Sequence, residues 1–431
     1  MLNSLTLTGV GPAADLALQF TPRLNFLTGD NGLGKSFVLD IAWWALTRTW
    51  ARGMPARPDL DAATPSIAYS YTKSDGKNEA YCSLFKRQDQ QWTLKAARPS
   101  IPGVVIYAGV DGSFSVWDPA RNYWKDKGSY GPERPRSFDF SPEQVWQGLV
   151  AADGKTQLCN GLIADWVLWQ EGRKPAFEEL VSVLVALSPS ESERLQPGDP
   201  MRIGADVKDY PSLRMPYGQD VPLTQASAGM RRIAALAYLL VWTWREHQLA
   251  CRQYGLKPAR EIIFLIDEIE CHLHPQWQRR IVPALLKVMQ ALTGSENVPV
   301  QLIAATHSPL VLASIEPEYD AERDCIWDFD LVEGRVEVKH YPFSRKGDVN
   351  GWLSSEVFNL EEPRSLAAER ALHDARQVLQ EVHQLSGKAL PDALKQHIQG
   401  VDTALRASLS DVDRFWVRWS RFCADCLGTD A

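Results

Sequence analysis

Four stretches of the 431-residue chain carry side chains whose types and spacing suit work on a phosphate anhydride. The first, Gly29-Asp30-Asn31-Gly32-Leu33-Gly34-Lys35-Ser36, fits G-x-x-x-x-G-K-[ST] at every fixed position. Its glycines let the backbone wrap round an anion, so that successive N–H groups and the next helix N-terminus face it. Lys35 is expected to reach the β- and γ-phosphates and the Ser36 hydroxyl to take one position on Mg²⁺. The second, Ile262-Ile-Phe-Leu-Ile-Asp267-Glu268, is an apolar run tipped by two carboxylates. A strand buried on both faces tolerates acids only at its C-terminal tip, where the crevice of an α/β sheet lies. Asp267 is expected to hold Mg²⁺, and Glu268 to orient or deprotonate the attacking water.

The third stretch, Val300 to Ala305, is another apolar run, followed by Thr306-His307-Ser308-Pro309. It predicts a strand that delivers His307 to the same crevice, where the imidazole could sense the γ-phosphate. The fourth, Thr224-Gln-Ala-Ser227-Ala-Gly229-Met-Arg231-Arg232, precedes an apolar helix. Ser227 reads first as an N-cap, and such a helix start is also a second anion-binding end.

The elements that must position these groups are readable in outline. Residues 3–28 predict two or three short strands ending at the glycine loop, and a helix is expected from Ser36. Residues 66–119 alternate like an antiparallel β lobe, with a turn at Ser74-Asp-Gly76 among others. Residues 120–140 read as a loop and 141–188 as helical. A break follows to about 211, and then a helix beyond Ala228. Ile326 to Tyr341 predicts a hairpin turning at Glu333-Gly334, and three helical stretches are expected after Pro363. The expected units are an N-terminal ATPase lobe (1–140), a helical insertion (141–223), a C-terminal ATPase lobe (224–345) and a C-terminal helical, partner-docking region (346–431).

Composition narrows the class. A net charge of −7 gives no global basic field of the kind a free-standing nucleic-acid binder carries. Hydrophobic content of 45% with 23% charged residues excludes wholesale disorder. Seven scattered cysteines make no secreted disulfide framework. The strongest apolar run, Ile233 to Trp244, is too short to span a membrane, and no signal peptide is evident at the N-terminus; a cytoplasmic protein is expected. Sixteen tryptophans are an excess. Trp43, Trp44, Trp50, Trp242, Trp244 and Trp277 fall beside the chemical stretches. Trp146, Trp166 and Trp169, with Trp416 and Trp419, mark two candidate docking surfaces.

In this order the four stretches resemble the ATP-binding cassette (ABC) class, and more narrowly the heads of SMC-like, recombination-type and OLD-like AAA-type ATPases. The N-G-x-G-K-S loop, the Ser227-Ala-Gly229 signature, Asp267-Glu-Ile-Glu270-Cys-His272-Leu-His274-Pro275 and Thr306-His-Ser-Pro309 carry the likeness, over roughly residues 1–310. The ATPase subunits of Septu-like prokaryotic antiphage systems are similar. The resemblance implies an α/β head with a mixed central sheet, ATP and Mg²⁺ as ligands, and ATP hydrolysis. It also implies that Ser227 and Gly229 meet the γ-phosphate held by Lys35 of a second copy, so that the chain works as a homodimer. A separate nuclease or toxin effector and a role in antiphage defence follow in the same way. Ala226 stands where the class usually has leucine, Gln144 and Gln147 are the candidates for a glutamine loop, and residues 120–223 are too short for a long coiled coil.

Other readings stay open: a DNA-repair ATPase acting directly on DNA, and an ATP-gated scaffold with little turnover. A basic and aromatic group comprising Trp117, Arg121, Tyr123, Trp124, Lys125, Lys127, Tyr130, Arg134 and Arg136, together with Arg48, Arg52 and Arg57, suits nucleic acid as well as a solvated loop. Asp328-Phe-Asp330 is similar to the acidic pair of Toprim nucleases but reads as structural. Cys423-x-x-Cys426 lacks a second pair for zinc, and the family pattern accounts for Cys271, His272 and His274 without a metal.

Overall fold

In the computed structural model the chain before the glycine loop forms strands β1 (Leu2–Thr8), β2 (Asp15–Gln19) and β3 (Leu24–Gly29), and the loop opens helix α1 (Lys35–Thr47). The structure describes residues 1–431 except 52, 74–75, 95–100, 124–134, 294–298, 386–389 and 429–431. Arg52, Trp124, Lys125, Lys127, Tyr130 and Arg134, and the turn at Ser74, therefore lie outside the described residues. The chain divides into two compact units, Met1–Val349 and Asn350–Ala431.

In the first unit β4 (Ser66–Thr72), β5 (Asn78–Lys86) and β6 (Gln91–Trp92) join β1 and β2 in an antiparallel sheet, ordered β2-β1-β4-β5-β6. The next strands, β7 (Val104–Ala108) and β8 (Phe114–Trp117), do not belong to that lobe. Together with β9 (Phe138–Phe140) they extend the central sheet, because β7 is apolar on both faces and needs cover on both.

Residues 141–188 are helical only in part. Helix α2 (Pro142–Gln147) leads into a hairpin of β10 (Leu149–Val150) and β11 (Gln157–Cys159), and then come α3 (Leu162–Glu171) and α4 (Pro175–Ala186). The break that follows holds the two-residue strands β12 (Gln196–Pro197), β13 (Met201–Arg202) and β14 (Asp209–Tyr210), with β15 (Ser212–Arg214) and β16 (Asp220–Pro222). Helix α5 (Ala228–Tyr254) is stopped by Gly255 in the left-handed conformation. Beyond it lie β17 (Ile262–Ile266), α6 (Pro275–Gln278), α7 (Ile281–Thr293), β18 (Val300–Ala305), α8 (Pro309–Ile315), β19 (Asp324–Val332) and β20 (Arg335–Tyr341).

The central sheet has eight strands in the order β20-β19-β3-β18-β17-β7-β8-β9. Strands β19, β3, β18, β17 and β7 run parallel, so their C-terminal ends share one edge. That edge carries the glycine loop, the Asp267–Glu268 acid pair and His307. Helix α1 packs into a core built from both sheets, with Leu5, Leu7 and Ile67 from one and Leu27, Ile263 and Ile303 from the other. Its buried residues run round the helix, from Val38 and Leu39 to Trp43, Trp44 and Leu46, as a helix enclosed on all sides requires.

Register fixes the loop closely. Phe329 of β19 pairs with Gly29, and a Cβ on Gly29 would lie 1.9 Å from the Phe329 carbonyl oxygen. Gly29 also has φ +113°, which side chains rarely adopt. Gly29→Ala is expected to cost about 3 kcal/mol or more, seen as a fall of roughly 4 °C or more in Tm. An unchanged melting curve would refute this.

Helix α9 (Val349–Leu353) lies at the division between the units. In the second unit α10 (Leu366–Gln384), α11 (Asp392–Ser408) and α12 (Phe415–Leu427) close on a core of Leu372, Ala375, Val378, Ile398, Leu405 and Trp419. No helix among the described residues is long and apolar enough to cross a membrane.

Most tryptophans are interior residues. Trp166 is fully buried and Trp169 packs on Tyr238 with centroids 5.6 Å apart, so that pair belongs to the core and not to a docking surface. Arg121 also turns inward, bonded to Asp118 at 2.8 Å and lying 4.1 Å over the Phe138 ring, and Trp117 is buried. Those two members of the basic–aromatic group therefore supply no nucleic-acid surface.

Candidate active site

Lys35 is 95% buried, and its ammonium donates to the carbonyls of Gly29 at 2.9 Å and Asp30 at 2.6 Å. Burial is the largest influence on it and lowers its pKa to about 8, against the opposing pull of Asp30, Glu268 and Asp267. Gly32 and Gly34 take left-handed φ of +78° and +98°, so the turn round the anion position is built from conformations that favour glycine. Asn31 precedes Gly32, and Leu33, between Gly32 and Gly34, is buried in the core.

The Ser36 hydroxyl donates to Asp267 Oδ1 at 2.8 Å, joining the start of α1 to the tip of β17. A hydroxyl and a carboxylate side by side make the hard oxygen donor set that suits Mg²⁺, an ion usually held by one or two carboxylates plus substrate phosphates. Asp267 is 1% exposed, whereas Glu268 is half-buried with φ +46°, an unusual conformation for glutamate. Arg232 of α5 holds that backbone, donating to the carbonyls of Asp267 at 3.3 Å, Glu268 at 3.2 Å and Val110 at 2.8 Å.

Strand β18 ends beside β3, and Thr306 N donates to the Leu27 carbonyl at 3.0 Å. His307 is half-buried and its ring bonds the Gly29 backbone. Burial and then the Lys35 charge hold its pKa below the ordinary value, which favours the neutral imidazole. The structure thus brings Lys35, Ser36, Asp267, Glu268 and His307 to one edge.

Ser227 and Gly229 form a second group. Ser227 is exposed and caps α5 by accepting from Met230 N at 3.3 Å. Gly229 lies so close to the His272 carbonyl that a Cβ would stand 2.8 Å from it. His274 caps α6, and among the described residues no group of three or more His, Cys, Asp or Glu could hold a metal. The glutamine-loop candidates are engaged elsewhere: Gln144 closes a capping box with Ser141, and Gln147 accepts from Lys208 at 3.2 Å.

Three residues were not assigned these roles from sequence. Arg232 is named in the sequence only as the last residue of the fourth stretch, with no role. Glu270 reads as a motif letter but accepts from Thr306 and from the His307 backbone. Asp328, in the hairpin set aside as structural, pairs in register with Thr28, next to the glycine loop. Burial, then Asp330 and Asp30, raise its carboxyl pKa to about 6.

A family described as "AAA domain, putative AbiEii toxin, Type IV TA system" matches residues 132–313, which include Ser227, Gly229, the Asp267–Glu268 pair and His307. The retron Ec83 probable ATPase of Escherichia coli is 33% identical over 98 residues, 23% of this chain and 15% of that protein. Septu protein PtuA of Bacillus mycoides (strain KBAB4) is 34% identical over 100 residues, 23% of this chain and 12% of that protein. The chain thus matches less than a fifth of either curated relative's length. Among solved structures, an SMC head domain from Thermotoga maritima aligns over 79% of this chain and 99% of its own, at 15% identity and a TM-score of 0.39. Residues 132–313 are thus similar to an AAA domain, and the glycine loop that precedes them lies at the same sheet edge as the acid-tipped strand.

Proposed function

We propose that the chain binds and hydrolyses Mg-ATP, closes as a homodimer when ATP is bound, and acts as the regulatory ATPase of an antiphage defence assembly. The observation that carries the hydrolytic reading is the Ser36–Asp267 bond of 2.8 Å, with Glu268 next in the chain and Lys35 one residue before Ser36. On this reading Asp30, Asn31, Gly32, Leu33 and Gly34 wrap the phosphates and Lys35 neutralises the β and γ groups. Ser36 and Asp267 hold Mg²⁺, which offsets negative charge on the phosphates when bound. Glu268 takes the proton of the attacking water, and His307 touches the γ-phosphate. Ser227, exposed at the start of α5, and Gly229 complete the site of a second copy.

The retron and Septu likenesses support the defence role, in a cytoplasmic setting and with a separate nuclease or toxin effector as partner. The C-terminal helical unit is its proposed docking region: Val412 and Val417 are 89% and 81% exposed there.

Single-turnover assay of the purified chain should show phosphate release that stops on Mg²⁺ chelation; release indifferent to chelation would defeat the reading. Lys35 adds a pH signature. Below about pH 8 the free ammonium is charged, and bound phosphate favours that form, so binding takes up a proton as pH rises. ATP affinity should fall roughly five- to tenfold between pH 7.5 and 9. Calorimetry in two buffers of different ionisation enthalpy would register the uptake, and a flat profile would contradict it.

A further inference from the structure

Between the acid pair and α6 stands a carboxylate that the hydrolytic reading leaves unused. Glu270 Oε2 accepts from Thr306 Oγ1 at 2.7 Å, and Oε1 accepts from the backbone N–H of His307 at 2.5 Å. Thr306 in turn takes Ser308 N at 3.1 Å on the same oxygen and gives its own N–H to Leu27 of the phosphate-loop strand. On the other side Ile269 N donates to the Ala305 carbonyl at 3.2 Å, which lays this segment across the end of β18. Cys271 N returns to the Glu268 carbonyl at 2.9 Å, so Glu268 and Glu270 share one tight turn.

We propose that Glu270 is a positioning residue: it clamps the main chain of the switch histidine to the turn that carries Glu268. Two features of the contact favour this over simple packing. Both carboxylate oxygens are used, one on the backbone of the switch residue and one on its neighbour's hydroxyl. Bonds to an ionised acceptor are also stronger and shorter than neutral ones, and therefore better at fixing a direction. Without the carboxylate, the loop keeps its bond to Leu27 and the Thr306–Ser308 turn. It therefore stays folded, while the main chain of His307 loses its tie to the turn that carries Glu268 and only the ring's bond to Gly29 orients the residue. Alignment of that kind governs the chemical step more than nucleotide affinity.

This inference rests on the chain hydrolysing ATP, and the test separates the two. Glu270→Ala in the full chain should lower kcat about 10- to 100-fold and leave KM for ATP within about threefold. In a His307→Ala background the same change should cost less than about twofold, because the group it positions is gone. Glu270→Gln, whose amide oxygen can still accept from His307 N–H, should recover part of the loss, and it carries the comparison if the alanine variant does not fold. An active wild type with unimpaired Glu270 variants, or a loss fully additive with His307→Ala, would overturn the inference alone. A wild type that turns over no ATP would overturn the hydrolytic reading and this inference with it.

Discussion

Glu268→Gln should leave the chain able to bind Mg-ATP while its turnover falls about 10²- to 10⁴-fold, the range for losing a general base. The substitution keeps the shape of the side chain and the backbone conformation at φ +46°, and it removes the proton acceptor. Neither the Arg232 bonds to the Asp267 and Glu268 carbonyls nor the Ser36–Asp267 bond involves the Glu268 carboxylate, so the surrounding site should persist. On the dimer proposal the same variant should accumulate as a closed two-fold species with ATP and revert to monomer without it. Rapid-quench measurement of ATP cleavage, with size-exclusion chromatography alongside, checks both points. Turnover at the wild-type rate would remove Glu268 from the mechanism.

Lys35→Met should have the opposite signature, with binding lost and the fold retained. The ammonium is the buried cation of the glycine loop, and its removal should weaken ATP binding by about 100-fold or more, the loss of a charge-assisted contact to a polyanion. Stability should not fall with it. Because burial depresses the Lys35 pKa, the charged form is penalised in the folded state. That penalty is full below about pH 8 and fades as pH rises toward the unfolded value of 10.5. At pH 7 the methionine variant should therefore melt at or above the wild-type temperature. A lower Tm with intact ATP affinity would show that Lys35 serves the fold and not the nucleotide.

The site's chemistry was legible because each part makes a local demand on residue type. Only glycine sits easily at the loop's positive φ angles, and only a strand tip tolerates adjacent acids beside a fully apolar run. Partnership between distant segments was not legible. The 104–117 strands do pair with each other antiparallel, as residues grouped with the antiparallel lobe should, but nothing local to them says that β7 will also lie parallel to β17 in the other sheet. The β10–β11 hairpin was hidden in a region that reads as helical, because strands of two or three residues leave no period to detect. The tryptophan excess suggested two docking surfaces, but burial of Trp166, Trp169 and Trp419 assigns most of it to cores. Glu270 and Asp328 show the same limit at the site. One gains its role from a loop 36 residues later, the other from β19 being seated beside the phosphate loop.

The order β19-β3-β18 has a consequence for synthesis of the chain. The strand leading into the phosphate loop is complete at residue 29, yet its partners on either side begin at residues 300 and 324. A ribosome must therefore deliver about seven-tenths of the polypeptide before that strand has either neighbour. Contacts so distant in sequence form late and slowly. Until then the glycine loop has no Phe329 carbonyl against it and no Asp267 beside Ser36. On the proposed function, competence for ATP then arrives with the closing of the sheet rather than with translation of the loop.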